Sequence, residues 1–310
     1  MTAELILILG CTACGKGKVA FKLAQQTGGQ ILSIDSMKVY RRMDIGTAKA
    51  GLEQRRLIKH HLIDVVEPYE SFSAGKFVEL ADEVIAAAQR KDSPIIAVGG
   101  TAMYIRALIE GIFAGPPADA KLRWELKRQA AKVGSISLHE RLRQVDPEGA
   151  KRIHPHDLKR LVRALEVYEL TGEPITSFHQ HFYSGNLRHN WKIFGLRRDK
   201  EDNNQRINQR VKKMVQDGLV EEVKSLLAEP KGLSKQAAQA VGYAQIISHL
   251  QGEISLEDAI EKIKINSRRL AKHQRTWFRG FKDVYWLEVG PEDEAEQIVG
   301  KILAYQQNNR

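Results

Sequence analysis

The sequence predicts an α/β protein, with a parallel sheet flanked by helices and interrupted by an all-helical insertion domain. Over residues 1–110, short apolar runs alternate with helical periodicity, as in a parallel sheet wound with crossover helices. The apolar run at residues 5–9 leads directly into a G-x-x-x-x-G-K motif, which makes the sheet P-loop NTPase-like. Residues 118–183 contain only helical patterns, which indicates the insertion.

The first part of the chain alternates strands and helices. Residues 16–26 carry helical periodicity, with Val19, Ala20 and Leu23 on one side. Ser71 or Ser73 is the expected N-cap of the next long helix. The strands are predicted at residues 5–9, 30–35, 61–66 and 94–98, and the further helices at 72–90 and 101–109.

The second part of the chain begins with a linker at residues 111–117. Helices are predicted at 118–133, 138–144, 157–170, 200–216, 219–227, 236–250, 256–278 and 292–305, and strands at 191–196 and 284–289. We therefore assign residues 1–114 and 190–310 to a catalytic core domain and residues 115–189 to a helical insertion domain.

Composition narrows the class of protein. The 310 residues are 43% hydrophobic and 28% charged, which excludes a disordered or fibrous chain. Lysine and arginine number 48 against 38 aspartate and glutamate, and the net charge of +10 suits a polyanionic partner. The apolar run is far shorter than the roughly 20 residues that span a bilayer, so we expect no membrane partner. Two cysteines allow no disulfide framework and fit a reducing cytoplasm.

The loop after the first strand is a candidate phosphate cradle. Its backbone N–H groups and the following helix N-terminus favour an anion, and Lys16 would reach the terminal phosphate. The alternative is a glycine-rich turn that binds nothing. The diphosphate- or nucleotide-binding residues predicted here are Gly10, Cys11, Thr12, Ala13, Cys14, Gly15, Lys16 and Gly17.

Three residues of this loop have special consequences. Gly17 stands where a serine or threonine hydroxyl usually binds magnesium, so metal positioning should be weaker and routine ATP hydrolysis is disfavoured. Cys11 and Cys14 form C-x-x-C, either as small residues tolerated in a tight loop or as a redox pair. No second ligand pair at finger spacing supports a zinc site. No metal ligand can be assigned.

Five segments, in order and over nearly the whole chain, carry a resemblance to one family. They are the loop above, Asp35-Ser36 with Met43-Asp-Ile-Gly-Thr-Ala-Lys49, Val98-Gly-Gly-Thr-Ala-Met-Tyr104, Asp157-Leu-Lys-Arg-Leu-Val-Arg-Ala-Leu165 and Ala271-Lys-His-Gln-Arg-Thr-Trp-Phe-Arg279. The chain resembles the tRNA dimethylallyltransferases, also called tRNA isopentenyltransferases. The second segment is more specific than the phosphate loop.

The resemblance implies a prenyl transfer. Such enzymes move a dimethylallyl group from dimethylallyl diphosphate to the exocyclic amine of the adenine 3′ of the anticodon, and diphosphate leaves with Mg²⁺ assistance. The adenine is flipped out of the anticodon stem-loop into a channel. A leaving diphosphate needs fixed donors and cations, which the loop supplies, and the amine needs a base, for which Asp35 is placed. We expect a monomer.

The resemblance also implies individual site residues. Asp35 and Thr101 are the candidate catalytic residues, and a helix cap or turn is the alternative role of each. The target nucleotide would be contacted by Asp35, Ser36, Met37, Lys38 and Thr101. Arg210 aligns with a family arginine near the diphosphate. The family's tRNA-contacting positions match Arg123, Lys159, Arg160, Leu161, Val162 and Arg163, for which a solvated helix face is the alternative.

A basic helix supplies the electrostatic argument for RNA. Residues 262–282 hold eight lysines or arginines and no acidic residue. Arg268, Lys272, Arg275 and Arg279 follow at helical spacing, so they share one face that suits a phosphate backbone. Trp277 and Phe278 are either core anchors or stacking platforms.

Two alternatives to the tRNA prenyltransferase remain open. A small-molecule kinase is supported by the loop and the sheet alone, and Gly17 disfavours it. A catalytically impaired tRNA-binding relative is the other, because Gly17, Cys11, Ala102, His273 and Lys159 depart from the family's usual residues.

Overall fold

The computed structural model describes residues 3–112, 115–181 and 188–308, with residues 179–181 described by their backbone only. The chain divides into two compact units. The sheet unit comprises Met1–Ile109 and His189–Arg310, and the helical unit comprises Glu110–Arg188. We predicted a domain boundary after residue 114, and residues 113–114 lie outside the described residues. Residues 182–187 of the predicted insertion also lie outside them.

The described part of the sheet unit has six parallel strands in the order β3-β2-β4-β1-β5-β6. Every residue of the central strand is buried, because helices cover both faces of a parallel sheet. The carboxyl ends of the first, second and fourth strands meet at one edge. The strands are β1 Leu5–Gly10, β2 Gln30–Ile34, β3 His60–His61, β4 Ile95–Gly99, β5 Trp191–Arg198 and β6 Val284–Val289.

The helices follow the predicted order closely. Of the two predicted caps of the third helix, Ser71 and Ser73, the structure uses Ser73, whose side chain accepts a hydrogen bond from the Lys76 N–H. The helices are α1 Lys16–Thr27, α2 Leu52–Leu57, α3 Ala74–Arg90, α4 Ala102–Glu110, α5 Ala120–Val133, α6 Ser135–Val145, α7 Pro147–Arg152, α8 Leu158–Thr171, α9 Lys200–Gln216, α10 Leu219–Ala228, α11 Lys235–Ala238, α12 Tyr243–Leu250, α13 Leu256–Phe278 and α14 Ala295–Asn308.

The predicted strand at 61–66 is wrong beyond its first residue. Leu62 and Asp64 have φ values of 57° and 56°, so the chain leaves the sheet after β3. The Asp64 carboxylate then binds Lys49 Nζ at 2.7 Å and Arg55 at 2.5 Å. These ion pairs hold the segment as a loop.

The predicted helix at 236–250 is two helices, α11 and α12. Gly242 has a φ of 100° between them and is the N-cap of α12, which breaks the helical ladder. The short helices α2 and α7 were not predicted. The second of them begins at Pro147 and is capped by Asp146, whose carboxylate accepts a hydrogen bond from the Gly149 N–H at 2.8 Å.

The helical unit has a hydrophobic core of its own. Leu138, Leu142, Leu161 and Leu165 are fully buried within it, with Leu126 beside them. Its helices α5, α6 and α8 pack against one another through these side chains. Across the described residues, no helix combines the length and the apolar character needed to cross a bilayer.

Candidate active site and nucleic-acid interface

The loop between β1 and α1 forms an anion cradle at the end of the central strand. Ala13 has a φ of 64° and Gly15 a φ of 100°, so the backbone turns sharply and Gly15 adopts a conformation that favours glycine. Helix α1 begins at Lys16, which adds the partial positive charge of its N-terminus. The ammonium group of Lys16 donates to the Cys11 carbonyl at 3.0 Å and lies at the mouth of the loop.

Asp35 and Thr101 follow the ends of the neighbouring strands β2 and β4, and Ser36 next to Asp35 contacts Thr101. The Ser36 N–H donates to Thr101 Oγ1 at 3.1 Å, and the Thr101 hydroxyl donates to Ser36 Oγ at 3.4 Å. Asp35 Oδ1 accepts from the Met37 N–H at 2.9 Å and the Lys38 N–H at 3.3 Å. Among the described residues, the hydrogen bonds to this carboxylate all use Oδ1, which leaves Oδ2 for a ligand.

Two arginines from α9 lie against the cradle. Arg210 Nη1 donates to Thr12 Oγ1 at 3.4 Å, and Arg206 Nε donates to the Ala13 carbonyl at 3.1 Å. Burial lowers the pKa of Arg210, and nearby Asp35 partly opposes that shift. Arg210 therefore lies near both the anion cradle and the candidate base.

Lys38 adds a cation whose charge depends on pH. Burial lowers the pKa of Lys38 to about 8. The charges of Lys16, Arg210 and Lys49 lower it further, whereas Asp35 raises it. Lys38 is therefore near half-protonation in mildly alkaline solution.

Helix α13 reaches into the same site with two consecutive residues. The buried side chain of Gln274 accepts from the Thr12 N–H at 2.7 Å and donates to the Gly100 carbonyl at 2.7 Å. A Cβ on Gly100 would lie 2.4 Å from Gln274 Nε2, so glycine permits this approach. Arg275 Nη1 points at Cys11 Sγ, 3.9 Å away. Gln274 thus connects the anion cradle to the strand end that precedes Thr101.

Cys11 and Cys14 are buried free thiols inside the cradle. Their side chains hydrogen-bond to each other, which lowers the pKa of Cys14, and the charge of Lys16 lowers it as well. Cys11 Sγ also contacts Asn203 Oδ1 at 3.6 Å. The redox role of this pair stays a prediction.

The predicted basic face of α13 is only partly an outer surface. Lys272 and Arg279 are exposed. Arg268 is half-buried and donates to Asn208 Oδ1 on α9 at 2.9 Å, while Arg275 faces the cradle. The four residues follow the helical spacing that we predicted, but packing against α9 and the loop turns Arg268 and Arg275 inward, and their contact with tRNA stays a prediction.

In the helical unit, a buried carboxylate binds two of the predicted RNA-contacting arginines. Glu166 is fully buried and accepts from Arg123 at 2.8 and 2.9 Å and from Arg163 at 2.7 Å. It also accepts from the Asp119 N–H at 2.8 Å, at the start of α5. Arg123 therefore ties α5 to α8 within the unit, whereas Arg163 pairs with Glu166 inside α8.

The remaining predicted positions on α8 divide between surface and core. Lys159 and Arg160 are exposed. Leu161 is completely buried and Val162 nearly so, in the core of the helical unit. The assignment of these two side chains to RNA contact is corrected, because helical periodicity turns them away from the surface.

Sequence reasoning missed Arg206 and Gln274. Arg206 lies one helical turn before Arg210, so the i, i+4 spacing on α9 was a usable signal. Gln274 belongs to the motif at residues 271–279, but counting the charges in that motif does not identify a neutral amide. Its partner Thr12 lies 262 residues away in the sequence.

A family model described as IPP transferase matches residues 38–281. The chain belongs to the IPP transferase family. Its relatives include the tRNA dimethylallyltransferase of Geobacter metallireducens, 44% identical over 285 residues and 92% of each chain. That of Thermoanaerobacter sp. (strain X514) is 43% identical over 309 residues and 98% of each chain. The resemblance carried by the sequence motifs is confirmed.

Solved structures of family members have the same fold. The tRNA isopentenylpyrophosphate transferase of Bacillus halodurans is 37% identical, with a TM-score of 0.72 over 98% of this chain and 96% of that one. A eukaryotic dimethylallyltransferase acting on tRNA is 26% identical, with a TM-score of 0.83 over 99% of this chain and 80% of that one. The predicted P-loop-like parallel sheet is thereby confirmed as the fold of the family.

Proposed function

We propose that this protein transfers a dimethylallyl group from dimethylallyl diphosphate to the exocyclic amine of the adenine 3′-adjacent to the anticodon in tRNA, and releases diphosphate. Family membership supports the reaction class. The observation that carries the proposal is the placement of an anion cradle beside a carboxylate and a hydroxyl at adjacent strand ends. This arrangement suits a leaving diphosphate next to an amine acceptor.

Each group in the site has a role in the transfer. The carbon–oxygen bond of the donor breaks with its electrons on the diphosphate, which is stabilised by Lys16, Arg210 and the N–H groups of the cradle. The exocyclic nitrogen of the adenine bonds to the freed carbon, and Asp35 Oδ2 accepts the proton that this nitrogen loses. Thr101 and Ser36 orient the acceptor through their hydroxyl groups.

Residues outside this centre would bind the tRNA. Met37 and Lys38 follow Asp35 and would contact the target nucleotide. Lys272 and Arg279 on α13 are exposed cations suited to phosphates. In the insertion domain, which we place at residues 115–189, exposed Lys159 and Arg160 would make direct contacts. Arg123 would hold α5 against α8 through Glu166, and Arg163 would neutralise the same carboxylate from within α8.

Magnesium is a proposed cofactor, held mainly by its substrate. Among the described residues, no group of three or more His, Cys, Asp or Glu side chains forms a ligand set. Mg²⁺ commonly binds substrate phosphates and keeps several waters, so the cradle suits an ion that arrives with the diphosphate. When bound, it would neutralise charge on the leaving group. We name no protein ligand.

Substitution of Gly17 with threonine is expected to increase the apparent affinity for magnesium. A Cβ at this position has no heavy atom within 4 Å, so the side chain fits. The added hydroxyl should lower the Mg²⁺ concentration for half-maximal activity about tenfold. Gly17→Val, of similar shape but without the hydroxyl, is the control. An unchanged requirement in Gly17→Thr would mean that other ligands already hold the ion.

The binding of tRNA is expected to weaken above pH 8. The pKa of Lys38 is lowered to about 8 by burial, so the free enzyme carries this charge below that pH and loses it above. The value of kcat/KM for tRNA should therefore fall on the alkaline side, and Lys38→Arg should remove that fall because guanidinium stays charged. Lys18→Arg, on the exposed side of α1, is the control and should retain the alkaline fall in kcat/KM. The same inflection in Lys38→Arg would assign the titration to another group.

A direct assay tests the proposed function. The protein is incubated with unmodified tRNA and dimethylallyl diphosphate, and the nucleosides are analysed by mass for one added dimethylallyl group per tRNA. A tRNA with guanine at the target position is the control and should stay unmodified. A catalytically impaired relative would bind tRNA and give no product.

The kinase alternative is not favoured, because the family match covers residues 38–281, a region that lies outside the phosphate loop. We also propose that the enzyme acts as a monomer, since one chain supplies the cradle and the carboxylate. Both cysteines are free thiols, which supports a cytoplasmic location.

A further inference from the structure

Helix α5 of the helical unit carries a large aromatic residue that its own unit does not bury. Trp124 is 58% exposed. The guanidinium carbon of Arg128 lies 4.7 Å from the centroid of the Trp124 ring, within cation–π distance. The buried residues of α5, Leu126 and Ala130, lie on the opposite side of the helix. Trp124 therefore contributes little to the core.

The surroundings of Trp124 are strongly basic. Helix α5 holds five lysines and arginines against one glutamate. Lys121 and Arg128 lie at i−3 and i+4 from Trp124, so they flank it on one face, and Lys127 adjoins them. We name Lys121, Trp124, Lys127 and Arg128 the α5 outer face. All four residues are exposed.

We propose that the α5 outer face binds an unpaired base of an RNA loop by stacking it on Trp124, while Arg128 and the two lysines contact the adjoining phosphates. The proposal rests on the proposed function, in which the chain binds tRNA. An aromatic ring set among cations is the arrangement with which proteins hold single-stranded nucleic acid. Arg123, the neighbouring arginine, is paired with buried Glu166 on α8 and so is not counted in the α5 outer face.

Charge complementarity selects RNA over an apolar partner. An apolar protein surface docking here would desolvate the cations around Trp124 without pairing them, whereas RNA phosphates neutralise them. The paired bases inside a duplex have both faces covered by their neighbours, so the unpaired loop of an anticodon stem-loop is the expected occupant. The groove beside α5, with a volume of about 440 Å³, is lined by cations and carboxylates together, including Arg128, Lys132, Glu125 and Glu169, so the basic character is confined to the α5 outer face.

The test compares three variants in binding to two RNAs. The probes are an unmodified anticodon stem-loop and a blunt duplex with the same stem sequence. Trp124→Ala should weaken binding of the stem-loop about tenfold and leave binding of the duplex unchanged, because one stacking contact is lost and no phosphate contact. Trp124→Phe should restore most of the affinity. Ile136→Ala on α6, where Ile136 is 56% exposed, is the matched control and should have no effect.

Each alternative outcome overturns the inference. If Trp124→Ala binds the stem-loop as tightly as the wild type, Trp124 does not lie in the interface. If the variant loses affinity equally for the stem-loop and the duplex, the loss does not come from stacking on an unpaired base. An equal loss in Ile136→Ala would indicate a nonspecific apolar surface. Prenyl transfer by the same preparations at saturating tRNA separates the two proposals. If the wild type fails to transfer, the proposed function is wrong. If the wild type transfers normally and Trp124→Ala binds the stem-loop as tightly as the wild type, only the stacking contact is rejected.

Discussion

Replacement of Asp35 by alanine is expected to remove nearly all prenyl transfer while tRNA still binds. The carboxylate accepts the proton that the adenine amine loses, and loss of a general base typically slows a reaction by about 10²–10⁴-fold. Since the base acts in the chemical step, kcat should fall and the Kd for tRNA should stay within about twofold. Single-turnover formation of the modified nucleoside measures the first quantity, and filter binding measures the second.

Asparagine at the same position separates the two roles of Asp35. Its amide oxygen can accept the backbone hydrogen bonds of Met37 and Lys38, which the structure places at 2.9 and 3.3 Å from Oδ1. Asp35→Asn should therefore keep the turn and the melting temperature of the wild type but remain as inactive as Asp35→Ala. Normal turnover by Asp35→Asn would show that the residue serves the turn, and another group would have to be the base.

Gln274→Leu is expected to lower kcat/KM about 10²-fold, although Gln274 need not touch either substrate. Leucine of similar size leaves the Thr12 N–H and the Gly100 carbonyl without the partner they now share at 2.7 Å. An unsatisfied buried polar group costs about 1–3 kcal/mol, and a displacement of ~1 Å in a site can cost 10²-fold in rate. Most of the loss should appear in kcat, because the distance between donor and acceptor changes.

Two further substitutions test this positioning role of Gln274. Gln274→Glu keeps an acceptor for the Thr12 N–H but has no donor for the Gly100 carbonyl, so its activity should lie between wild type and Gln274→Leu. Thr276→Val removes a hydroxyl whose hydrogen bond, among the described residues, runs within α13 to the Lys272 carbonyl at 3.1 Å, and should have no effect. If Gln274→Leu has wild-type kcat and KM for both substrates, the two hydrogen bonds of Gln274 do not determine how the donor and the acceptor are placed.

Much of the candidate site was predictable because its signals are local. The strand, the glycine spacing and Lys16 lie within a dozen consecutive residues, and strand propensity and turn geometry act over that range. Asp35 and Thr101 each follow a buried apolar run, and parallel strands end at a common edge, so their placement at that edge is a consequence of the fold class. The N-cap at Ser73 was predictable for the same reason.

The errors occur where long-range contacts override a local pattern. Residues 61–66 read as a strand by their apolar content, but Lys49 and Arg55 hold Asp64 in a loop. Leu161 and Val162 lie in a motif that predicts RNA contact, but the packing of α8 on α5 and α6 buries them. Charge alone did not distinguish an arginine directed at solvent from one paired with a buried carboxylate, such as Arg123.

The amino-acid order by itself determined the wound parallel sheet, the phosphate cradle and the carboxylate beside it, because each depends on neighbours a few residues apart. Only the tertiary structure decided which side chains complete that cradle. Gln274 and Arg275 approach Thr12 and Cys11 across more than 260 residues of chain, since α13 packs against the end of β1. Similarly, Glu166 turns Arg123 inward while Trp124 next to it stays exposed. Such partners are selected by the packing of whole elements, which no local spacing encodes.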